Sequence, residues 1–241
     1  MAVQAVVRMT GNAETAAQNF FLLDKDGLLT KERKNLDPAA VAFAKDPGLI
    51  AGLRDGDSLL EVVKKVKPDV LLGLSGVGGV FNEEVLKALR ESGSNRPAIF
   101  AMSNPTMNAE CTAVEAFKHA GENIVFASGS PFENVQLGNG KVGYVNQANN
   151  MYLFPGIGLG ALLSGARIIT DDMLQAAAEC IRDITAEVGA SVVRAAVAEE
   201  VAEGYGKVDP EELAYMSKEE TVEYVRRNMW YPNYSPLVQQ K

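Results

Sequence analysis

Four short runs along the chain are apolar almost throughout: Phe20–Asp24, Val70–Leu74, Ala98–Met102 and Ile124–Ala127. A strand with one face in water alternates apolar and polar residues, whereas a strand covered on both faces does not. The runs therefore predict parallel strands between two helical layers. Helical stretches separate them. Ser58-Leu-Leu-Glu61 has the form of a capping box, with Pro68 just past the helix it opens. Asn82 is placed to cap Glu83–Glu91, with Gly93 as a stop, and Gly121 ends a third helix over Ala109–Ala120. Strand and helix in alternation predict right-handed crossovers and an α/β fold with a doubly wound, mostly parallel sheet. After residue 150 the strand pattern stops. Thr170 caps a predicted helix over Asp171–Glu187, and further helices are expected over Ser191–Glu203, Pro210–Met216 and Lys218–Asn228. The expected organisation is a sheet domain over residues 1–150 and a helical layer with a C-terminal extension over 151–241.

Charge narrows the partners. The 241 residues carry 31 acidic and 23 basic side chains, a net charge of −8, which argues against binding a phosphate backbone and so against nucleic acid. The longest apolar stretch, Met151–Ala166, contains Pro155 and four glycines, and falls short of the roughly 20 residues a membrane span needs. The opening MAVQAVVRMT lacks the pattern of a secretory signal. Two cysteines, Cys111 and Cys180, make no disulfide framework, which suits the cytoplasm or an organelle matrix. The single histidine, His119, lies near a helix end at an expected surface position.

In open α/β sheets ligands bind beyond the carboxyl ends of the strands. Those ends read Ser75-Gly-Val-Gly-Gly79, Ser103-Asn-Pro-Thr106 and Ser128-Gly-Ser-Pro131. Each alone is an ordinary tight turn. Three together, all of short side chains, suggest a ligand brought close to backbone N–H groups. Asp24 closes the first run, where a dinucleotide-binding fold places an acid on the adenosine ribose; a turn-forming Asp is the alternative. Gly156-Ile-Gly158-Leu-Gly160-Ala161 matches a dinucleotide fingerprint, but no buried strand precedes it, so these glycines predict close helix packing. Phe81 stands where Gly76-Val-Gly78 would need a third glycine. Asn149 and Asn150 precede an apolar helix and offer amides to a carboxylate or carboxamide, with simple capping as the alternative. Asp171 and Asp172 read as first-turn acids, not as a metal pair. Cys111 is expected to be inert. The carboxylates nearest the strand ends, Glu110 and Glu133, read as isolated.

With these motifs in hand, the chain resembles the C-terminal portion of malic enzymes. The resemblance is carried by Phe21-Leu-Leu-Asp-Lys-Asp-Gly-Leu28, Ser75-Gly-Val-Gly78, Met102-Ser-Asn-Pro-Thr106, Glu110-Cys-Thr112, Phe126-Ala-Ser-Gly-Ser-Pro-Phe132, Gln147-Ala-Asn-Asn-Met-Tyr-Leu-Phe-Pro-Gly156 and Met229-Trp-Tyr-Pro-Asn-Tyr234. It implies a Rossmann-like fold and oxidative decarboxylation of L-malate to pyruvate and CO2 with NAD or NADP and Mg2+ or Mn2+. It implies that Asn104 and Asn150 contact malate. Asp24 would meet the ribose, while Ser75, Gly76, Val77, Gly78, Asn104 and Asn149 would line the cofactor. A homo-oligomer is also implied. In the charge near Asp24, the cations Lys25, Lys31, Arg33 and Lys34 against Asp24, Asp26 and Glu32 tilt the balance slightly to NADP.

The resemblance also sets an expectation about what is missing. The family's catalytic Tyr and Lys, its three acidic metal ligands and its first strand with the glycine-rich turn all fall upstream of Met1. A shortening is expected between about Asp183 and Val193. No catalytic residue or metal ligand is therefore assigned in this chain, which reads as an incomplete and inactive piece of the enzyme. A noncatalytic dinucleotide-binding or subunit-interaction remnant is the alternative.

Overall fold

The computed structural model describes residues 3, 6–8, 11–50, 52–180 and 185–229. The chain divides into two compact units, Ala2–Asn149 and Asn150–Lys241.

The first unit opens with helix α1 (Ala13–Gln18) and a two-stranded hairpin of β1 (Leu23–Asp24) and β2 (Gly27–Leu28). The buried Lys45 ammonium reaches the carbonyls of Ala17 and Gln18 at the end of α1, where a cation suits the helix dipole. Helix α2 (Leu59–Val66) follows the capping box that Ser58 and Glu61 form. Then come β3 (Val70–Gly73), α3 (Glu83–Arg90) capped by Asn82, β4 (Ala98–Ala101), α4 (Ala113–Ala120), and β5 (Val125–Ser128). An antiparallel hairpin of β6 (Val135–Gly138) and β7 (Lys141–Gly143) leads to β8 (Val145–Gln147).

Strands β3, β4, β5 and β8 form a parallel sheet in that order. Leu71, Ile99, Phe126 and Val145 stand in one register row. The first three are buried against Val63, Val85, Leu86, Leu89 and Phe117 from α2, α3 and α4. The α/β class and the parallel sheet are as expected.

Three expectations need correction. Phe20–Asp24 is not a strand of the parallel sheet. Only Leu23 and Asp24 are extended, and they pair antiparallel with the residues just after the turn. Gly27, at φ +93°, allows that turn, and a side chain there would run into the Gly56 carbonyl group. The fourth strand is instead Val145–Gln147, whose single apolar residue gave no strand signal. The sheet is also not covered evenly. Along β3, Leu71 is buried while Val70 and Leu72 remain nearly half exposed.

In the second unit α5 (Phe154–Ser164), α6 (Asp171–Glu179), α7 (Thr185–Ala198), α8 (Pro210–Tyr215) and α9 (Lys218–Asn228) pack around α7. Val193 faces Leu163, Leu213 and Val225, and Val192 faces Met173 and Ala177. The predicted helix over 171–187 ends early, at a Cys180 cap, and α7 begins before the predicted Ser191. Residues 183 and 184 of the expected shortening, with 181 and 182 before them, and the Trp230–Tyr234 part of the terminal motif lie outside the described residues.

The glycines of α5 divide into two kinds. A Cβ on Gly160 would meet the Gly189 carbonyl oxygen at 2.5 Å and Val192 Cβ at 2.6 Å, whereas a Cβ on Gly158 meets nothing. Gly158→Ala should therefore stabilise the fold by about 0.5–1 kcal/mol through helix propensity. Gly160→Ala should destabilise it by about 1–3 kcal/mol through overpacking. Urea denaturation of the two variants checks the opposite signs; stabilisation by both contradicts the helix contact.

Candidate functional site

The carboxyl ends of the four parallel strands lie side by side, because Gly73, Ala101, Ser128 and Gln147 share one register row. Ser75, Ser103, Ser128 and Asn149 therefore gather at one edge of the sheet. Asn149 Nδ2 donates to the Gly129 carbonyl at 2.9 Å, which fastens the segment after β8 to the turn after β5. Asn150 begins the second unit.

A residue that sequence reading dismissed as isolated ties this edge together. Glu110 is fully buried. Its carboxylate accepts the Ser75 N–H and Ser75 Oγ, each at 2.9 Å, together with the Ser103 hydroxyl and, at 3.3 Å, the Ser103 N–H. The Ser103 hydroxyl oxygen accepts the Gly76 N–H at 2.8 Å. Space for the carboxylate exists because β3 ends in glycine: a Cβ on Gly73 would lie 2.5 Å from the Glu110 carboxyl carbon. Burial alone raises this carboxyl, but the hydrogen bonds from Ser103 and Ser75 outweigh it and hold the group below the ordinary carboxylate range. A sequence signal for the contact did exist, in the spacing of Glu110 seven residues after Ser103, but it had no distinctive form.

This network changes what the Ser75–Gly79 turn can offer. The N–H groups of Ser75, Gly76, Val77 and Gly79 donate to Glu110, Ser103, Ser75 and Ala109 respectively. They are committed inside the protein, so at this turn these four groups are not free to form a donor cradle. The absent side chain of Gly78 is explained by packing, since a Cβ there would collide with the Met107 carbonyl. What the turn presents outward is the exposed Val77 side chain. Beside it Asn104 is exposed, its carboxamide taken by no partner among the described residues, and the Asn104–Pro105 peptide is cis. The Ser130 hydroxyl is buried with no hydrogen-bond partner among the described residues, although a buried polar group left so costs about 1–3 kcal/mol.

Asp24 lies in a hairpin of its own, outside the parallel sheet. Arg33 bridges Asp24 at 3.1 Å and Asp55 at 2.6 Å, and its guanidinium is pushed up chiefly by the Asp55 hydrogen bond. Lys25 pairs with Asp26 and Lys31 with Asp46. Three of the four cations that tilted the sequence reading toward a 2′-phosphate are thus engaged with carboxylates. His119 is half-buried and faces Glu83 at 3.7 Å, not at the surface as expected. Cys111 is buried and its thiol is pushed up to about 12, by burial first and then by Glu115 and Glu110. A cavity of about 730 Å3 lies at the opposite ends of the strands, lined by Arg90, Pro97, Lys118 and Gln136, away from every residue assigned above.

Comparison with known proteins decides the family. The family described as "Malic enzyme, NAD binding domain" matches residues 1–201. This chain belongs to it. NAD-dependent malic enzyme 2, mitochondrial, of Arabidopsis thaliana is 67% identical over 263 residues, spanning 100% of this chain and 43% of the plant protein. The 59 kDa isoform of mitochondrial NAD-dependent malic enzyme from Solanum tuberosum is also 67% identical, over 99% of this chain and 43% of its own length. The NADP-dependent malic enzyme of Anas platyrhynchos is 38% identical over 77% of this chain and 32% of its own. The chain thus spans less than half the length of these malic enzymes. The matched stretch of the Arabidopsis enzyme is also longer than the chain, 263 against 241 residues.

The Glu110 carboxyl sits lower in the folded than in the unfolded chain. Its stabilisation is therefore present above the unfolded value and is lost as pH falls through the folded one. Glu110→Gln should cost about 1–3 kcal/mol at neutral pH, with the gap from the parent chain closing in acid; a gap that stays constant contradicts the network. In mildly alkaline buffer a thiol reagent should leave Cys111 unmodified until the chain unfolds, as read by peptide mass spectrometry. Rapid labelling of native Cys111 would contradict its burial.

Proposed function

We propose that this chain is the dinucleotide-binding part of an NAD-dependent malic enzyme, which oxidatively decarboxylates L-malate to pyruvate and CO2. The observation that carries the reading is the row of strand ends bearing Ser75–Val77, Ser103–Asn104 and Ser128–Ser130, in a chain of this family. Residues 1–150 supply that edge; residues 151–241 supply a helical layer and extension. Mitochondrial NAD-dependent enzymes at 67% identity support a mitochondrial matrix location.

The residues fit the nicotinamide end of such a cofactor better than its pyrophosphate. Val77 offers an apolar wall for a ring, Asn104 a carboxamide, and the Ser130 hydroxyl an unsatisfied polar group. Ser75, Gly76 and Gly78 shape that wall, and Asn149 holds the turn after β5. Bound NAD supplies the acceptor for the malate C2 hydride. Asn104 and, by the resemblance alone, Asn150 orient the substrate. Asp24 remains the ribose partner on the same ground, in competition with Arg33. NAD is favoured over NADP because Arg33, Lys25 and Lys31 are paired within the protein. A divalent cation does not fit these residues. Among those described, no group of three His, Cys, Asp or Glu side chains lies close enough to hold one.

A second reading, a subunit-interaction module, rests on β3. Val70, Leu72 and Leu74 are 47%, 46% and 73% exposed, and among the described residues no strand pairs with the outer edge of β3. Such an edge invites self-association into a homo-oligomer.

The purified chain should give no NADH from malate and Mn2+, since removing the hydroxyl proton needs a base that the strand ends do not supply. In calorimetry it should bind NAD+ weakly, yet more tightly than NADP+. Clear turnover contradicts the assignment of catalysis to residues outside this chain; tighter binding of NADP+ contradicts the cofactor choice. Sedimentation showing a monomer at all concentrations would remove the second reading.

A further inference from the structure

We infer that Glu110 is a positioning residue, one whose carboxylate holds the Ser75–Val77 and Ser103–Asn104 turns in fixed relation and so sets the shape of the ligand edge. The inference rests on the dinucleotide reading above, which it deepens. Among the described residues the groups that bond the carboxylate are all donors: the N–H and hydroxyl of Ser75 and of Ser103, from two different turns, and the N–H of Glu110 itself, with no cation among them. The backbone of the same segment closes the far side, where the Ala109 carbonyl accepts the Gly79 N–H at 3.1 Å and the Glu110 carbonyl accepts the Phe81 N–H at 2.9 Å. Residues 109–110 thus grip the turn at both ends.

A carboxylate is required because every partner donates. An amide in its place has one acceptor oxygen and one NH2, and the NH2 would face an N–H group. The Ser103 hydroxyl passes the restraint on, since it donates to Glu110 and accepts from Gly76. Loss of the charge or of this hydroxyl frees the two turns, and Val77 and Asn104 lose their common frame. A contact that merely stabilised the fold would leave the edge intact wherever the chain stayed folded.

The test uses the 241-residue chain with Glu110→Gln, Ser103→Ala and, as a control, Leu86→Ala, which opens a cavity in the core away from the turns. Hydrogen–deuterium exchange reports the turns, and calorimetry with NAD+ reports the edge. In both polar variants, peptides over Ser75–Gly78 and Ser103–Asn104 should exchange about tenfold faster while those over α9 do not change, and NAD+ should bind about tenfold more weakly. Leu86→Ala should lower the melting temperature without weakening NAD+. If Glu110→Gln fails to fold, Ser103→Ala carries the test alone. Unchanged exchange in the turns, or faster exchange with unchanged NAD+ affinity, overturns the role of Glu110 while leaving the dinucleotide reading in place. A parent chain that binds no NAD+ at any concentration overturns both.

Discussion

A buried carboxylate with no cation beside it survives only where donors enclose it. Glu110 meets that condition by drawing in the first residues of two turns that follow neighbouring strands. Much of the edge follows from this one constraint. Gly73 must lack a side chain for the carboxylate to fit. Ser75 and Ser103 must carry hydroxyls. The N–H groups of Ser75, Gly76, Val77 and Gly79 are already committed.

The Ser75–Gly79 turn consequently offers the edge a wall more than an anion cradle. Its outward groups are an apolar side chain and a carboxamide, with one unsatisfied hydroxyl buried behind them, a set suited to a neutral or amide-bearing ring. This agrees with a family whose match here is an NAD-binding domain. The hairpin around Asp24 contributes a different element. There Arg33 satisfies two carboxylates and two backbone carbonyls at once, so its charge is directed inward.

The sequence made the frame legible where apolar runs were long and caps distinct. Val70–Gly73, Ala98–Ala101 and Val125–Ser128 are near-continuous apolar strands, and Ser58, Asn82 and Thr170 cap the helices they were expected to begin. The third helix was predicted from Ala109, but Thr112 and Glu115 form a capping box that starts it at Ala113. Phe20–Asp24 misled because apolar content cannot distinguish a parallel strand from coil leading into a tight hairpin. Val145–Gln147 was invisible because a short edge strand needs little apolar surface. Glu110 was missed for a deeper reason: a carboxylate satisfied only by N–H and hydroxyl donors leaves no charge partner in the sequence. The packing role of Gly160, by contrast, was readable, because no buried strand preceded these glycines, although the same reading failed for Gly158, which meets nothing.

The central claim is that ligand meets the carboxyl ends of β3, β4 and β5. Amide chemical-shift mapping of the 241-residue chain titrated with NAD+ tests it most directly. The account predicts that perturbations cluster at Gly76, Val77, Ser103, Asn104, Gly129 and Ser130. Perturbations clustering instead around Arg90, Lys118 and Gln136, at the opposite ends of the strands, would contradict it.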